Sequence, residues 1–417
     1  MRAAAATALA LLALVAGAFA AQKTYAGYRL LQTQPLDDER GLALAALSDQ
    51  LDFWSPPRRG EGATIFVSPE DLPSVEAMLK KLDVGYEVAV ADMQRVLAAS
   101  EPNPAPRAGG RAISFTRFNN VTEIHAYLED LAVQYPDLVT LLSAGSSQEG
   151  RDLKLVKISN SNGRSGKRAI FIDAGIHARE WIAPPVALYT ISQLVENYEA
   201  NRELVDALDW YVLPVLNPDG YEYTFTNERF WRKTRSNNGN PACLGVDANR
   251  NFEDNWMLVG SSSNLCSETY AGPSPASEPE TQALQSFLRN IGSQLDLYLT
   301  FHSYGQYILH PWGYTVTPAE DAEQLTALAR IAADAIESVR GTRYTVGGSA
   351  EVIYLTSGSS EDWAKSGAGV KYSYTVELPR GGSGFDPPAS AILPVVTETF
   401  EGVRAFARFF AQRQSQP

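Results

Sequence analysis

The chain has 417 residues, 45% of them apolar, enough for one large unit and a smaller one to bury their own cores without staples. Against 35 basic residues stand 48 acidic ones, a net charge of −13 that argues against nucleic acid and anionic membrane as partners and leans only slightly toward cationic ligands. After the N-terminus no run approaches the ~20 uninterrupted apolar residues of a membrane span, so no membrane association is expected.

Arg2, an Ala/Leu/Val run through Val15 and the small-residue site Ala18-Phe19-Ala20 read as an export signal over residues 1–20, which predicts a secreted, extracellular protein. Residues 25–31 read as extended, 36–47 as helical, and 51–54 and 64–67 as extended. Ser68-Pro-Glu-Asp71 then opens a helix with Ser68 as its N-cap and Leu72, Val75, Met78 and Leu79 at helical spacing, and 86–90 closes the unit as a strand. This βαββαβ order predicts a small α+β antiparallel sandwich without a catalytic grouping, acting as a plug or as an aid to folding. Glu101-Pro-Asn-Pro-Ala-Pro-Arg107-Ala-Gly-Gly-Arg111 is rich in Pro, Gly and Ala and holds two basic cleavage points. It predicts an exposed linker, with a first unit over 21–111 and a second over 112–417.

Beyond Arg111, strand-like runs at 155–158, 169–174, 210–216, 295–301 and 372–377 alternate with helical stretches at 184–197, 278–291, 320–339 and 395–410. Ser277-x-x-Glu280 reads as a capping box for the second of these helices. The alternation predicts an α/β fold, a mixed, mostly parallel sheet covered by helices. His177, Asn217-Pro-Asp219, His302 and Glu377 all fall at the C-terminal ends of predicted strands, where open α/β sheets bind ligands. Gly-Ile-His177-Ala-Arg179-Glu180-Trp181 and Leu-Thr-Phe-His302-Ser303-Tyr304 supply two imidazoles and a carboxylate. Zinc in a hydrolase takes three such ligands and leaves a fourth position for water, whose pKa it lowers toward ~7. Of the four histidines, His125 lies in a polar helical stretch and His310 beside Pro311, and both read as structural. The only two cysteines, Cys243 and Cys266, are expected to pair in an exported protein.

Taken together in order and spacing, His177-x-x-Glu180, Trp-Arg232-Lys-Thr-Arg-Ser, Asp247-Ala-Asn249-Arg250-Asn-Phe, Phe-His302-Ser-Tyr, Ile-Tyr354-x-x-Ser-Gly and Tyr-x-x-x-x-Glu377-Leu resemble the secreted zinc carboxypeptidases of the pancreatic A/B type, made as inactive precursors. The resemblance covers essentially the whole chain. It implies one Zn2+ held by His177, Glu180 and His302, with Glu377 taking a proton from the attacking water and Arg232 stabilising the oxyanion. It implies that Asn249 and Arg250 grip the substrate's terminal carboxylate, that Tyr354 closes over it, and that Arg179, Ser303 and Tyr304 make further substrate contacts. Asp247 then orients a zinc-bound imidazole, and Cys243 with Cys266 matches the family's disulfide. Also implied are peptide and protein C-termini as substrates and an activation propeptide over 21–111 released by a trypsin-like protease at Arg111, with Arg107 the other basic point; a monomer is the default expectation.

The family sets side-chain preference near Ser357-Gly-Ser-Ser-Glu361-Asp362-Trp363, with an aliphatic residue for apolar C-termini and Asp for Lys or Arg. Glu361, or Asp362 if the register slips, places an acid there, so a basic last residue is expected; Ser349, Thr356, Ser359 and Thr375 would keep the wall polar. Rival readings find less support. No Gly-x-Ser-x-Gly elbow and no His-Glu-x-x-His occurs, and a non-catalytic relative of the same fold would usually have lost a ligand or the base.

Overall fold

The computed structural model describes residues 22–58, 60–99, 113–160 and 166–414. The export signal and the cleavage points Arg107 and Arg111 lie outside them. The first unit runs β1 (Arg29–Thr33), α1 (Asp38–Ala45), β2 (Asp52–Ser55), β3 (Thr64–Val67), α2 (Leu72–Lys81), β4 (Tyr86–Val90) and α3 (Met93–Ala99). Its four strands form one antiparallel sheet in the order β2-β3-β1-β4.

Side chains alternate across a sheet, and here both faces are apolar. Leu31, Ile65 and Val67 on one face pack with Leu44 of α1 and with Val75 and Leu79 of α2, a core of the unit's own. Leu30, Trp54 and Phe66 on the other face meet Phe230 and Phe385 of the second unit. Trp54 stacks on Phe66 at 4.8 Å and contacts Phe230 at 4.8 Å and Phe385 at 5.1 Å between ring centroids. β1 starts at Arg29 rather than Tyr25, because Tyr25 turns out of the sheet into the same aromatic seam, its hydroxyl accepting from the Phe230 N–H. Asp71, not Ser68, is the residue before α2. Ser68 works one turn earlier, its hydroxyl accepting from the Asp71 N–H at 3.0 Å.

The second unit continues α4 (Val121–Gln134), β5 (Val139–Ser146), β6 (Asp152–Ile158), β7 (Ala169–Ala174), α5 (Ala183–Val195), α6 (Tyr198–Ala207), β8 (Asp209–Leu213), α7 (Pro218–Thr226), α8 (Pro279–Ile291), β9 (Leu295–Ser303), β10 (Tyr307–His310), α9 (Ala322–Arg340), β11 (Thr345–Gly348), α10 (Ser349–Val352), α11 (Ser360–Ser366), β12 (Tyr372–Leu378) and α12 (Ile392–Gln414). An eight-stranded sheet in the order β11-β10-β12-β9-β7-β8-β6-β5 has a parallel centre, β12-β9-β7-β8, with antiparallel pairings where β10, β6 and β5 join it. Ile170, Ile172, Leu299, Phe301, Tyr374 and Val376 face α4, α5, α9 and α12. Phe171 and Tyr298 face the layer of α8 and α11. Parity then puts Asp173, Thr300, His302, Thr375 and Glu377 on this second face.

Two local expectations are corrected. The predicted capping box does not form: α8 begins at Pro279 without a side-chain cap, and buried Glu280 accepts from the Gln148 N–H at 2.9 Å. The strand expected over 210–216 leaves the ladder at Leu213, though Leu216 and Asn217 still donate to the carbonyls of Ala174 and Gly175. Among the described residues no helix is long and apolar enough to cross a membrane.

Candidate metal centre and active site

At the end of β7 the chain must turn sharply, and Gly175 makes this possible at φ +65°, where a Cβ would stand 3.4 Å from Val215. The single turn that follows, with the Glu180 N–H donating to the His177 carbonyl, puts His177 and Glu180 on the same side. His302 arrives from β9, directly opposite Glu377 of β12 in the register.

The three side chains converge. His177 Nδ1 lies 2.7 Å from Glu180 Oε1, and His302 Nδ1 lies 3.1 Å from both Glu180 Oε2 and His177 Nδ1. All ligand atoms fall within 4.8 Å of one another, and among the described residues no other His, Cys, Asp or Glu grouping could hold a metal. Two ring nitrogens turned toward each other and toward one carboxylate, all buried, form a donor set suited to a borderline cation such as zinc. Burial works against the Glu180 charge, but the two imidazoles outweigh it and hold its pKa far down; His302, against burial, is raised to about 9 by Glu180.

Asp247 links this centre to the arginines. It accepts from the Asn249 N–H at 3.0 Å in the short turn Ala248–Arg250, meets His177 Nε2 at 3.1 Å and accepts from Arg232 Nη2 at 2.9 Å. Burial opposes its charge, yet Arg232, His177 and Arg250 together hold its pKa well below the usual carboxylate range. Arg232 Nη1 lies 3.8 Å from Glu180, and Arg250 donates to the carbonyls of Gly260 and Asn249 and, at 3.5 Å, to the Tyr354 hydroxyl. Asn249 fixes the start of α11 by accepting from the Ser360 N–H at 2.9 Å. The Cys243–Cys266 disulfide encloses Asp247, Asn249 and Arg250.

Glu377 is half-buried, with one carboxylate oxygen buried and lacking any hydrogen-bond partner; desolvation pushes its pKa up to about 7. Ser303 donates its N–H to Glu180 at 3.2 Å, and Tyr304 packs on Phe385 at 5.0 Å. Glu361 and Asp362 are both buried on α11 but differ in their partners. Asp362 accepts twice from the Gly313 N–H, at 2.8 and 3.1 Å, whereas Glu361 Oε2 has no hydrogen-bond partner; the buried Thr375 hydroxyl has none either.

The first unit covers this rim. Asp52 of β2 accepts from Arg179 at 3.1 Å, and the Arg179 guanidinium also lies 4.5 Å from the Phe385 ring and 3.7 Å from Glu268. Glu268 is pushed up to about 6, chiefly by burial and then by the Asp52 charge. Arg58 bonds the Tyr307 hydroxyl. Apart from the cleavage points, no functional residue of this unit is evident from the sequence. The available signal was the alternation of acid and aromatic in Asp52-Phe53-Trp54, which turns Asp52 and Trp54 to the same face.

Residues 124–402 match the zinc carboxypeptidase family and residues 32–100 the carboxypeptidase activation peptide. Carboxypeptidase B of Rattus norvegicus is 40% identical over 414 residues, covering 96% of this chain and 98% of its own. That of Astacus astacus is 44% identical over 299 residues, 71% of this chain and 98% of its own. The crystal structure of carboxypeptidase A from Helicoverpa armigera superimposes with a TM-score of 0.86 at 34% identity, covering 93% of this chain and 98% of that one. The chain belongs to the zinc carboxypeptidase family: it is a metallopeptidase with zinc as its cofactor, built as a zymogen behind an N-terminal activation peptide.

Proposed function

We propose that this zymogen is exported, is activated by a trypsin-like cut at Arg111, and as a monomer removes C-terminal Lys or Arg from peptides and proteins. The observation that carries the specificity is Glu361. It is 3% exposed with one oxygen unpartnered, while the competing acid Asp362 is consumed by the Gly313 N–H. A buried carboxylate is costly without a partner, and a substrate's guanidinium or ammonium supplies one.

His177, Glu180 and His302 would hold the zinc, which supplies Lewis acidity toward the scissile carbonyl and an acidified water. Arg250 and Asn249 bind the terminal carboxylate, Arg179 makes an auxiliary substrate contact, Ser303 and Tyr304 line the site, and Tyr354 closes over the bound end. Glu377 takes the water's proton and delivers it to the departing amine nitrogen, a task for which a pKa near 7 is matched to neutral pH. Arg232, held by Asp247, faces the developing oxyanion.

Latency is supported by the occupation of Arg179 by Asp52 and by the aromatic seam on Phe385, which keep the activation peptide over the substrate side. The test is release of the last residue from matched peptides ending in Arg or Phe, before and after trypsin, with and without a zinc chelator. Chelator-sensitive Arg release that appears only after trypsin is expected. Preference for Phe would discard the Glu361 assignment, and equal activity before and after the cut would discard latency.

A further inference from the structure

His177 has a carboxylate, Asp247, on its outer nitrogen. His302 has no carboxylate in direct contact with its Nε2, but Thr300 Oγ1 stands 3.2 Å from it and donates at 2.7 Å to Asp173 Oδ1. Thr300 and Asp173 are cross-strand partners in the β7/β9 ladder, both wholly buried. Among the described residues no lysine or arginine pairs with Asp173, so this carboxylate is kept in the core without a cation of its own, a costly placement.

We propose that Asp173, acting through Thr300, is a positioning residue for His302. The Thr300 hydroxyl has a single proton. Given to the acceptor-only Asp173 carboxylate, it leaves a lone pair on Oγ1 facing His302 Nε2, which must then carry the ring proton. His302 Nδ1, the atom turned toward His177 and Glu180, is left with its lone pair free for the metal. The relay thus fixes both the tautomer and the ring plane of His302 from a strand that provides no ligand at that imidazole. Both histidines of the centre are thereby backed by a carboxylate, one directly and one through a hydroxyl.

The inference rests on His302 as a zinc ligand, and the experiment separates the two. The probe is zinc itself, bound to the full-length precursor in competition with a chromophoric chelator, with proton–nitrogen spectra of the zinc-loaded protein labelled at its four histidines. A slowly exchanging His302 Nε2–H is expected in the unaltered protein. Thr300→Val should lose that protection and weaken zinc binding ~10–100-fold, and Thr300→Ser, which keeps the hydroxyl, should restore both. Asp173→Ala, which removes the acceptor and frees the Thr300 proton to turn toward His302, should weaken zinc in the same range and serves if Thr300→Val does not fold. If His302→Ala keeps full zinc affinity, the ligand assignment falls and the relay with it. If His302→Ala loses zinc while Thr300→Val or Asp173→Ala keeps unaltered affinity and proton exchange, the relay alone is overturned.

Discussion

Exchange of Glu361 for glutamine removes a charge and almost nothing else, so it isolates what that charge does for an incoming Arg. Truncating one member of a buried, hydrogen-bonded charge pair costs ~2–5 kcal/mol. The amide keeps one acceptor oxygen, so about 3 kcal/mol, roughly a hundredfold in kcat/KM for peptides ending in Arg, is the expected loss. Peptides ending in Phe never use the charge and should change less than about threefold, so the Arg/Phe ratio collapses while catalysis persists. The enzyme without substrate should respond in the opposite sense. One Glu361 oxygen has no partner there, and an amide in its place, though equally unpartnered, carries no charge to desolvate, which contributes ~1–3 kcal/mol. The trypsin-cut Glu361→Gln protein should therefore melt higher than its parent while being the worse enzyme. The assay is steady-state hydrolysis of the two peptides beside a thermal melt. An Arg/Phe ratio within threefold of the parent would refute the reasoning, most directly if Asp362→Asn collapsed the ratio instead.

Other expectations follow from contacts at a distance from the pocket. Asp52→Ala frees Arg179 from the activation peptide, and with ~1–1.5 kcal/mol lost from a pair whose arginine is buried and whose carboxylate is partly exposed, the uncut precursor should show about tenfold more activity on a small peptide; unchanged latency would leave the aromatic seam as the main restraint. Glu280 is pushed up to about 7 by burial, above its ordinary value of 4.5, so its contribution to stability is present below pH 4.5 and is lost as pH rises through 7. Glu280→Gln should accordingly raise the urea midpoint at pH 8 and leave it nearly unchanged at pH 4. Replacing both Cys243 and Cys266 by Ser opens a loop with a sequence separation of 23. The expected loss is about 3 kcal/mol on the loop-entropy account, read by urea denaturation, with a raised KM because Asn249 and Arg250 lie inside the loop.

The centre of the molecule is more legible than its margins for a physical reason. Strands buried on both faces, such as Ala-Ile-Phe-Ile in β7 and Trp-Tyr-Val-Leu in β8, read as unbroken apolar runs. By contrast β5, β10 and β11, toward the sheet edges, are short or mix Ser, Thr and Gly with apolar residues and carry no clear period. The zinc-binding group is legible because His177 and Glu180 follow one such run within a contiguous motif and His302 closes another. The choice between Glu361 and Asp362 is not, since adjacent acids on a helix point in different directions and only the Gly313 N–H distinguishes them. Asp52, Thr300 and Asp173 escape notice for a related reason. Each acts on a residue more than a hundred positions away or through a strand register, and register is absent from a linear pattern.

The two-sided sheet of the activation peptide separates what holds it together from what holds it in place. Leu31, Ile65, Val67 and Leu79 pack within the unit, while Leu30, Trp54 and Phe66 pack against its neighbour. A cut after the unit therefore leaves these interior contacts within one fragment, which can keep them and return in trans to the surface it left. Activation at high protein concentration is then expected to be self-limiting, with freed fragment competing with substrate until it is diluted or digested and the onset of activity lagging behind the cut itself.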